Sequence, residues 1–290
     1  MTPDEIRKRV RRIVLASSKL AREVFAGSYR SAFKGTGIEF EEVREYTEND
    51  DIRSVDWNVS ARMGGLYTKK YREERELPVS IIFDVSNSMF FGSGASTKIE
   101  SAAYIASLLA TAAVMNNDRV GAVFFGRHIQ RWVNPAKGKK HIASLIQELF
   151  TWDRREEGSN LEEAVRGVYE SVDRKGLCVI LSDFKTHTDF SVLDILKRKQ
   201  DLILCRLEDP AERRFPPVGY IELEDSETGT LYAASGMSAG FRKNFAEYWD
   251  EYFAEWERRC RSSRIEHFSV STEDDPFRAV TEFFRRRRTA

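Results

Sequence analysis

The stretch PVSIIFDVSNSM, residues 78–89, decides the fold class. It begins as a continuous apolar run, which is typical of a buried strand in a parallel sheet. It ends in Asp84, Ser86 and Ser88, three short oxygen-bearing side chains at alternate positions. Residues two apart in an extended segment project to the same side, so this spacing predicts that one carboxylate and two hydroxyls converge on a divalent cation.

Outward from this stretch, apolar runs alternate with segments of helical periodicity. Further strands are predicted at 119–125, 129–133, 177–181, 202–207 and 265–270, and helices at 97–117, 139–150, 161–172, 192–199 and 276–288. A hairpin is predicted near 220–232, inserted after the fifth strand. Strands separated by helices of this length indicate an α/β fold, with a doubly wound, mostly parallel sheet covered on both faces.

A long helix is predicted after the hairpin, because seven aromatic residues recur on one helical face. They are Phe241, Phe245, Tyr248, Trp249, Tyr252, Phe253 and Trp256. A stripe of this kind is more often a packing face than a ligand-binding surface, so we expect it to belong to the core.

The first 76 residues have a different pattern from the rest of the chain. Residues 1–26 predict an amphipathic helix whose basic face is either solvated or a membrane or partner surface. A polar segment at 27–65 shows no clear periodicity, which predicts an irregular extension packed on the main domain. The predicted domains are therefore 1–76, an N-terminal helix with this extension, and 77–290, the main α/β domain.

The ends of two predicted strands place the candidate site. In a doubly wound sheet of order 3-2-1-4-5-6, ligands bind beyond the carboxyl ends of the strands, between the first and the fourth. These two strands end at Asp84 and Asp183, and Ser159 precedes the helix before the fourth. Singly, each residue has a structural explanation, such as a capping box of Ser159 with Glu162. Together they predict a metal site for Mg²⁺, with Mn²⁺ possible, whose ligands are Asp84, Ser86, Ser88, Ser159 and Asp183.

Composition limits the classes of partner. The chain has 46 Lys and Arg residues against 46 Asp and Glu residues, so no overall field favours nucleic acid, and the basic run 285–288 is interpreted as a solvated tail. The longest apolar stretch, 105–115, predicts a core helix rather than a membrane span. Its three cysteines lack metal or disulfide spacing, and we expect buried thiols in a cytoplasmic protein.

Three motifs carry a resemblance to a known fold family. DVSNS at 84–88, GSNL at 158–161 and LSDF at 181–184 resemble the loops of the metal-ion-dependent adhesion site of von Willebrand factor A domains. That resemblance covers residues 77–290 and implies the same five metal ligands. The family usually has Thr where this chain has Ser159, and Asn160 is the alternative second-loop contact.

The polar segment resembles a bacterial family known as domain of unknown function fifty-eight. The matching residues are Arg44, Tyr46, Asp50, Asp51, Arg53, Asp56, Trp57, Ala61 and Arg62, with Asn49 where the family usually has Gly. We interpret this signature as an internal ion network around Trp57, and a partner surface that includes Arg53, Arg62 or the basic strand at 69–72 is the alternative. The resemblance implies a protein partner of the MoxR-type AAA+ ATPase class.

Together these patterns predict a metal-dependent protein-interaction module rather than an enzyme. Its loops supply too few ligands to enclose an ion, so an acidic side chain of a partner is expected to complete the coordination. The alternative is a Mg²⁺-dependent phosphoesterase, in which the ion orients a phosphate and a water. The sequence contains no nucleophile elbow and no P-loop. The segment FGSGASTK at 91–98 resembles a P-loop but lacks the second Gly before its Lys.

Overall fold

The computed structural model describes residues 39–47, 50–72, 77–154, 158–186, 189–224 and 230–289. The chain divides into two compact units, Arg30–Glu76 and a larger unit that contains Leu77–Ala290. The predicted N-terminal helix lies outside the described residues, as does the turn of the hairpin after residue 224.

The smaller unit is more regular than the sequence suggested. Strands β1 (Glu39–Glu45) and β2 (Tyr67–Arg72) pair in antiparallel fashion, and the short helix α1 (Trp57–Met63) lies between them in the chain. The side chain of Asp56 starts α1 by accepting hydrogen bonds from the backbone of Asn58 and Val59. Caps of this kind leave no periodic signal, which explains why the periodicity predicted irregular structure.

The prediction that an internal ion network surrounds Trp57 is wrong. Trp57 is 65% exposed, so it is not the core of an internal network. Ion pairing occurs elsewhere in this unit, where the Arg44 guanidinium contacts the Asp50 carboxylate at 2.6 Å. The alternative prediction, a partner surface, stays open for Arg53 and Arg62, which are both exposed.

The larger unit alternates strands and helices along the chain. Its strands are β3 (Val79–Asp84), β4 (Val120–Phe125), β5 (Ile129–Ala136), β6 (Leu177–Ser182), β7 (Asp201–Glu208), β8 (Tyr220–Glu224), β9 (Leu231–Ser235) and β10 (Glu266–Ser271). Its helices are α2 (Lys98–Met115), α3 (Lys139–Thr151), α4 (Leu161–Ser171), α5 (Phe190–Lys199), α6 (Pro210–Arg213), α7 (Ala239–Ser262) and α8 (Pro276–Thr289). The predicted hairpin is confirmed, since β8 and β9 pair in antiparallel fashion.

Six strands form the main sheet in the order β5-β4-β3-β6-β7-β10. Only β5 runs antiparallel, as the second strand of a hairpin with β4, and the other neighbours are parallel. The α/β fold with a doubly wound, mostly parallel sheet is therefore confirmed, including its strand order. The order reverses between β3 and β6, where the sequence placed the candidate site.

Burial explains why these segments become strands and helices. All six residues of β3, β4 and β6 are buried, as continuous apolar runs require in a sheet covered on both faces. Helix α2 begins with a capping box, in which Thr97 and Glu100 each accept a hydrogen bond from the other's backbone. By length and composition α2 could cross a membrane, but 78% of the helix is buried inside the fold.

The aromatic stripe on α7 is only partly a core face. Phe253 and Trp256 are buried, but Tyr248 is 61% exposed. Rings nearer the start of the helix pack against one another and on Phe215, which lies 5.0 Å from the ring of Phe241. The prediction that the whole stripe belongs to the core is therefore wrong for its N-terminal half.

Arg206 on β7 lies beneath α7 and is 2% exposed. Its guanidinium carbon lies 4.2 Å from the ring centroid of Phe253 and 5.0 Å from that of Trp256. One nitrogen contacts Glu208 at 3.2 Å, but Nε and Nη1 have no hydrogen-bond partner in the described structure. The nitrogen that contacts Glu208 also lies 3.9 Å from Glu257, so two carboxylates and the faces of two rings stabilise the charge.

We expect the Arg206→Met variant to change the free energy of unfolding by less than about 1 kcal/mol, because Met keeps the volume and removes a buried charge. Arg206→Ala should lower it by about 3 kcal/mol, because it leaves a cavity beneath α7. Urea unfolding of the two variants measures the difference. Equal losses in both would mean that the charge, not the volume, holds the helix.

All three cysteines, Cys178, Cys205 and Cys260, are free and buried, as predicted. Burial raises the pKa of each thiol above its ordinary value. They lie on β6, β7 and α7, so each belongs to a different element of the larger unit.

Candidate metal site

Asp84 is the centre of the candidate site. It is the last residue of β3 and has no exposed surface. Its Oδ2 accepts hydrogen bonds from the hydroxyls of Ser182 at 2.6 Å and Ser159 at 3.3 Å. Its Oδ1 accepts a hydrogen bond from the backbone N–H of Ser86 at 2.9 Å. The first, second and third loops therefore meet at one carboxylate.

The remaining predicted residues continue from this carboxylate. Ser86 begins a 3₁₀ turn at Asn87–Phe90, and its Oγ lies 3.2 Å from that of Ser88. The Ser88 hydroxyl in turn hydrogen-bonds the side chain of Asp183, which follows β6. The structure thus brings together all five residues that the sequence proposed as metal ligands.

Ser159 rather than Asn160 contacts the site. The Asn160 side chain accepts a hydrogen bond from the backbone of Glu163 at 3.2 Å and caps α4. The alternative explanation of Ser159, a capping box with Glu162, is wrong, because the helix begins one residue later than that box requires. The Ser159 hydroxyl is instead directed at Asp84.

The two carboxylates of the site have opposite electrostatics. Burial, together with the nearby charge of Asp183, raises the pKa of Asp84 to about 6. Burial also acts to raise the pKa of Asp183, but the charges of Lys98 and Lys185 outweigh it, so that pKa lies below its ordinary value. The negative charge of Asp183 is therefore already compensated by two lysines. The negative charge of Asp84 is buried without such compensation, and a bound cation would stabilise it.

Two lysines and a glutamate surround Asp183. Lys98 Nζ lies 2.6 Å from Asp183 Oδ2 and 2.7 Å from Glu212 Oε1. Lys185 Nζ lies 2.8 Å from the same oxygen of Glu212. Glu212 is on the short helix α6, so the third loop, α2 and α6 are joined by charge.

The third loop has a constrained backbone. Phe184 has a φ of 51°, a left-handed conformation that is uncommon for a residue with a side chain. Its ring is buried against Trp256, and its carbonyl accepts a hydrogen bond from the Tyr252 hydroxyl at 2.8 Å. Helix α7 therefore fixes the conformation of the loop that carries Asp183.

Comparison with known proteins identifies the family. The model of the family described as "Protein of unknown function DUF58" matches residues 42–252 of this chain. The chain belongs to the DUF58 family. The chain is also similar to the uncharacterized protein Rv1480 of Mycobacterium tuberculosis, with 25% identity over 268 residues, which cover 91% of this chain and 84% of that protein.

Two solved structures are similar to this DUF58 protein at low identity. The conserved hypothetical protein BatB from Bacteroides thetaiotaomicron has a TM-score of 0.47 and 15% identity, covering 74% of this chain and 100% of that one. The VWA domain of SpRpn10 has a TM-score of 0.38 and 10% identity, covering 72% of this chain and 94% of that one.

The donor chemistry of the DUF58 site suits a hard cation. Two carboxylates and three hydroxyls are oxygen ligands of the kind that Mg²⁺ takes, with waters filling the other positions. Among the described residues, no group of three or more His, Cys, Asp or Glu side chains is arranged to hold a metal. The site therefore fits Mg²⁺ or Mn²⁺ better than zinc, which takes Cys and His ligands.

Sequence patterns missed three residues of this DUF58 site. Ser182 adjoins Asp183 and donates to Asp84, and strand alternation alone could have placed it at the edge of the sheet. Lys98 was noted only as the end of a glycine-rich segment, although a lysine at the start of an apolar helix can indicate a buried charge with acidic partners. Glu212 left no local signal. His187, the histidine that follows the third loop most closely in the sequence, lies outside the described residues.

Proposed function

We propose that this DUF58 protein is a non-catalytic, Mg²⁺-dependent protein-interaction module that also accepts Mn²⁺. The observation that carries the proposal is the buried Asp84 carboxylate, on which two hydroxyls and a backbone N–H converge beside a second carboxylate. Asp84, Ser86, Ser88, Ser159 and Asp183 would hold the ion. The ion supplies a positive charge at the edge of the sheet that an acidic side chain of a partner can bind.

The family resemblance supports a class of partner. A MoxR-type AAA+ ATPase, or a client protein of such an ATPase, would present the acidic side chain in the cytoplasm. Since the protein residues supply only part of an octahedral shell, the partner's carboxylate can replace a water without displacing Asp84 or Asp183. Affinity for the partner then depends on the metal.

Calorimetric titration with Mg²⁺ tests the metal site. We expect wild type to bind one ion per chain, and Ser159→Ala to bind it about tenfold more weakly, since about 1.4 kcal/mol is the scale of one hydrogen-bonding ligand. Asn160→Ala is the matched control, because Asn160 caps α4 without contacting Asp84. It should leave the Mg²⁺ affinity unchanged while lowering stability by about 1 kcal/mol.

Capture from lysate with Mg²⁺ or with EDTA then tests the interaction. The proposal requires a protein that is retained with Mg²⁺ and released by EDTA. Mg²⁺-dependent phosphoesterase turnover that disappears in Ser159→Ala would contradict the non-catalytic assignment and favour the enzyme alternative. Absence of Mg²⁺ and Mn²⁺ binding would contradict the proposal altogether.

A further inference from the structure

Lys98 is a charged side chain at an apolar position. It is the first residue of α2, and its side chain has no exposed surface. Burying an ammonium is costly unless several acceptors compensate for its lost hydration. Here the ammonium contacts one oxygen of Asp183 and one of Glu212, at 2.6 and 2.7 Å.

The surroundings keep Lys98 charged. Burial acts to lower its pKa, but the carboxylates of Asp183 and Glu212 outweigh it, so the pKa lies above its ordinary value. A permanent positive charge is therefore in direct contact with one of the two carboxylates of the metal site.

A rigid support holds the second acceptor. Helix α6, which carries Glu212, is capped at its N-terminus by Asp209, whose side chain has no exposed surface. Asp209 accepts hydrogen bonds from the backbone and hydroxyl of Ser93, from Thr272 Oγ1 and from the backbone of Ala211. Glu212 is thus fixed beside Lys98. The ammonium is held between Glu212 and Asp183, which fixes its contact with Asp183.

We propose that the Lys98 ammonium is a built-in counter-ion that holds Asp183 in place before the metal binds and limits the affinity of the site for divalent cations. The inference rests on the proposed metal-binding function. It follows because an ammonium bonded to Asp183 does two things: it fixes the carboxylate without a metal, and it repels a second cation that approaches the same group. Lys98 is therefore a positioning and affinity-setting residue.

Lys185 provides an internal comparison. Its ammonium also contacts Glu212, at 2.8 Å, but Lys185 hydrogen-bonds Asp183 through its backbone N–H, at 3.3 Å. Removing either lysine deletes one positive charge near the site. Only the removal of Lys98 deletes the ammonium that is bonded to a carboxylate of the proposed ligand set.

Mg²⁺ titration of the full chain, with thermal unfolding in Mg²⁺ and in EDTA, tests the proposal. We expect Lys98→Met to bind Mg²⁺ at least tenfold more tightly than wild type, and Lys185→Met to differ from wild type by less than threefold. The melting temperature of Lys98→Met should fall in EDTA and recover in Mg²⁺, because the metal then supplies the missing charge.

The outcomes separate this inference from the proposed function. Equal Mg²⁺ affinities of wild type and Lys98→Met would overturn the role of Lys98 and leave the metal site standing. Binding by Lys98→Met alone would support Lys98 as the resident counter-ion and contradict the Mg²⁺ dependence proposed for wild type. If neither binds, both are overturned.

Glu212→Gln covers the case in which Lys98→Met does not fold. It keeps the ammonium but removes one of the two negative charges that compensate for it. More of the positive charge then acts on Asp183, so Mg²⁺ should bind severalfold more weakly. Unchanged or tighter binding by Glu212→Gln would overturn the inference.

Discussion

Replacement of Asp84 by Asn is expected to abolish Mg²⁺ binding and, with it, metal-dependent capture of a partner. The change keeps the shape of the side chain but removes the charge, and a neutral amide is a much weaker ligand for Mg²⁺ than a carboxylate. We expect the dissociation constant to rise at least a hundredfold. The amide oxygen can still accept the hydrogen bond from Ser86 N–H, while the amide NH2 in the other position can donate to the hydroxyl oxygens of Ser182 or Ser159, so the fold should persist.

Asp189→Asn is the matched control for this experiment. Asp189 follows the same third loop and caps α5, where it accepts hydrogen bonds from the backbone and hydroxyl of Ser191. Asn is an equally good helix cap, so the control should keep both its stability and its Mg²⁺ affinity. Capture that survives in Asp84→Asn but depends on Mg²⁺ would place the metal elsewhere in the protein.

Replacement of Asp209 by Ala is expected to lower the free energy of unfolding by about 3 kcal/mol, because the buried hydroxyls and backbone N–H groups that donate to its carboxylate lose their shared acceptor. The carboxylate contacts Ser93, Thr272 and the start of α6. Urea unfolding measures the loss. Asp274→Ala, which removes an exposed carboxylate near the end of β10, is the control and should cost under about 1 kcal/mol.

Asp209 also makes part of the free energy of unfolding depend on pH. Burial acts to raise the pKa of Asp209, but the hydrogen bonds from Ser93 and Thr272 outweigh it, and the pKa lies below its ordinary value. The stabilisation is therefore complete above the unfolded pKa and is lost as pH falls through the folded pKa. The difference between wild type and Asp209→Ala should be constant near neutral pH and shrink below about pH 4. A difference that does not shrink as pH falls below about 4 would contradict this assignment.

The sequence predicts the sheet well because its strands are continuous apolar runs, and a strand such as β3 has no other place than the centre. It also predicts the meeting of Asp84 with Asp183, because the strand order alone brings their strand ends together. What periodicity could not predict depends on contacts between distant segments. Glu212 reaches Lys98 across 114 positions of sequence, and nothing local to either residue indicates the other.

Errors of a second kind came from the assumption that a pattern continues for its full length. The aromatic stripe of α7 is periodic throughout, but only its C-terminal part, at Phe253 and Trp256, is covered by the sheet. Periodicity shows which residues share a face and does not show where the covering element ends. Periodicity could not predict where α1 and α4 begin, since a cap is a single side chain with no repeat.

The burial of the three thiols has a consequence for how this protein would react with its chemical surroundings. Cys178 and Cys205 lie on central strands and Cys260 lies on α7, and none is accessible while the fold is closed. Modification by a thiol reagent must therefore await an opening of the structure, and its rate reports the frequency of that opening. Because the thiols belong to different elements, modification of Cys260 reports detachment of the long helix, and modification of Cys178 or Cys205 reports separation of the sheet. The modification rates of the three thiols therefore measure how often each event occurs.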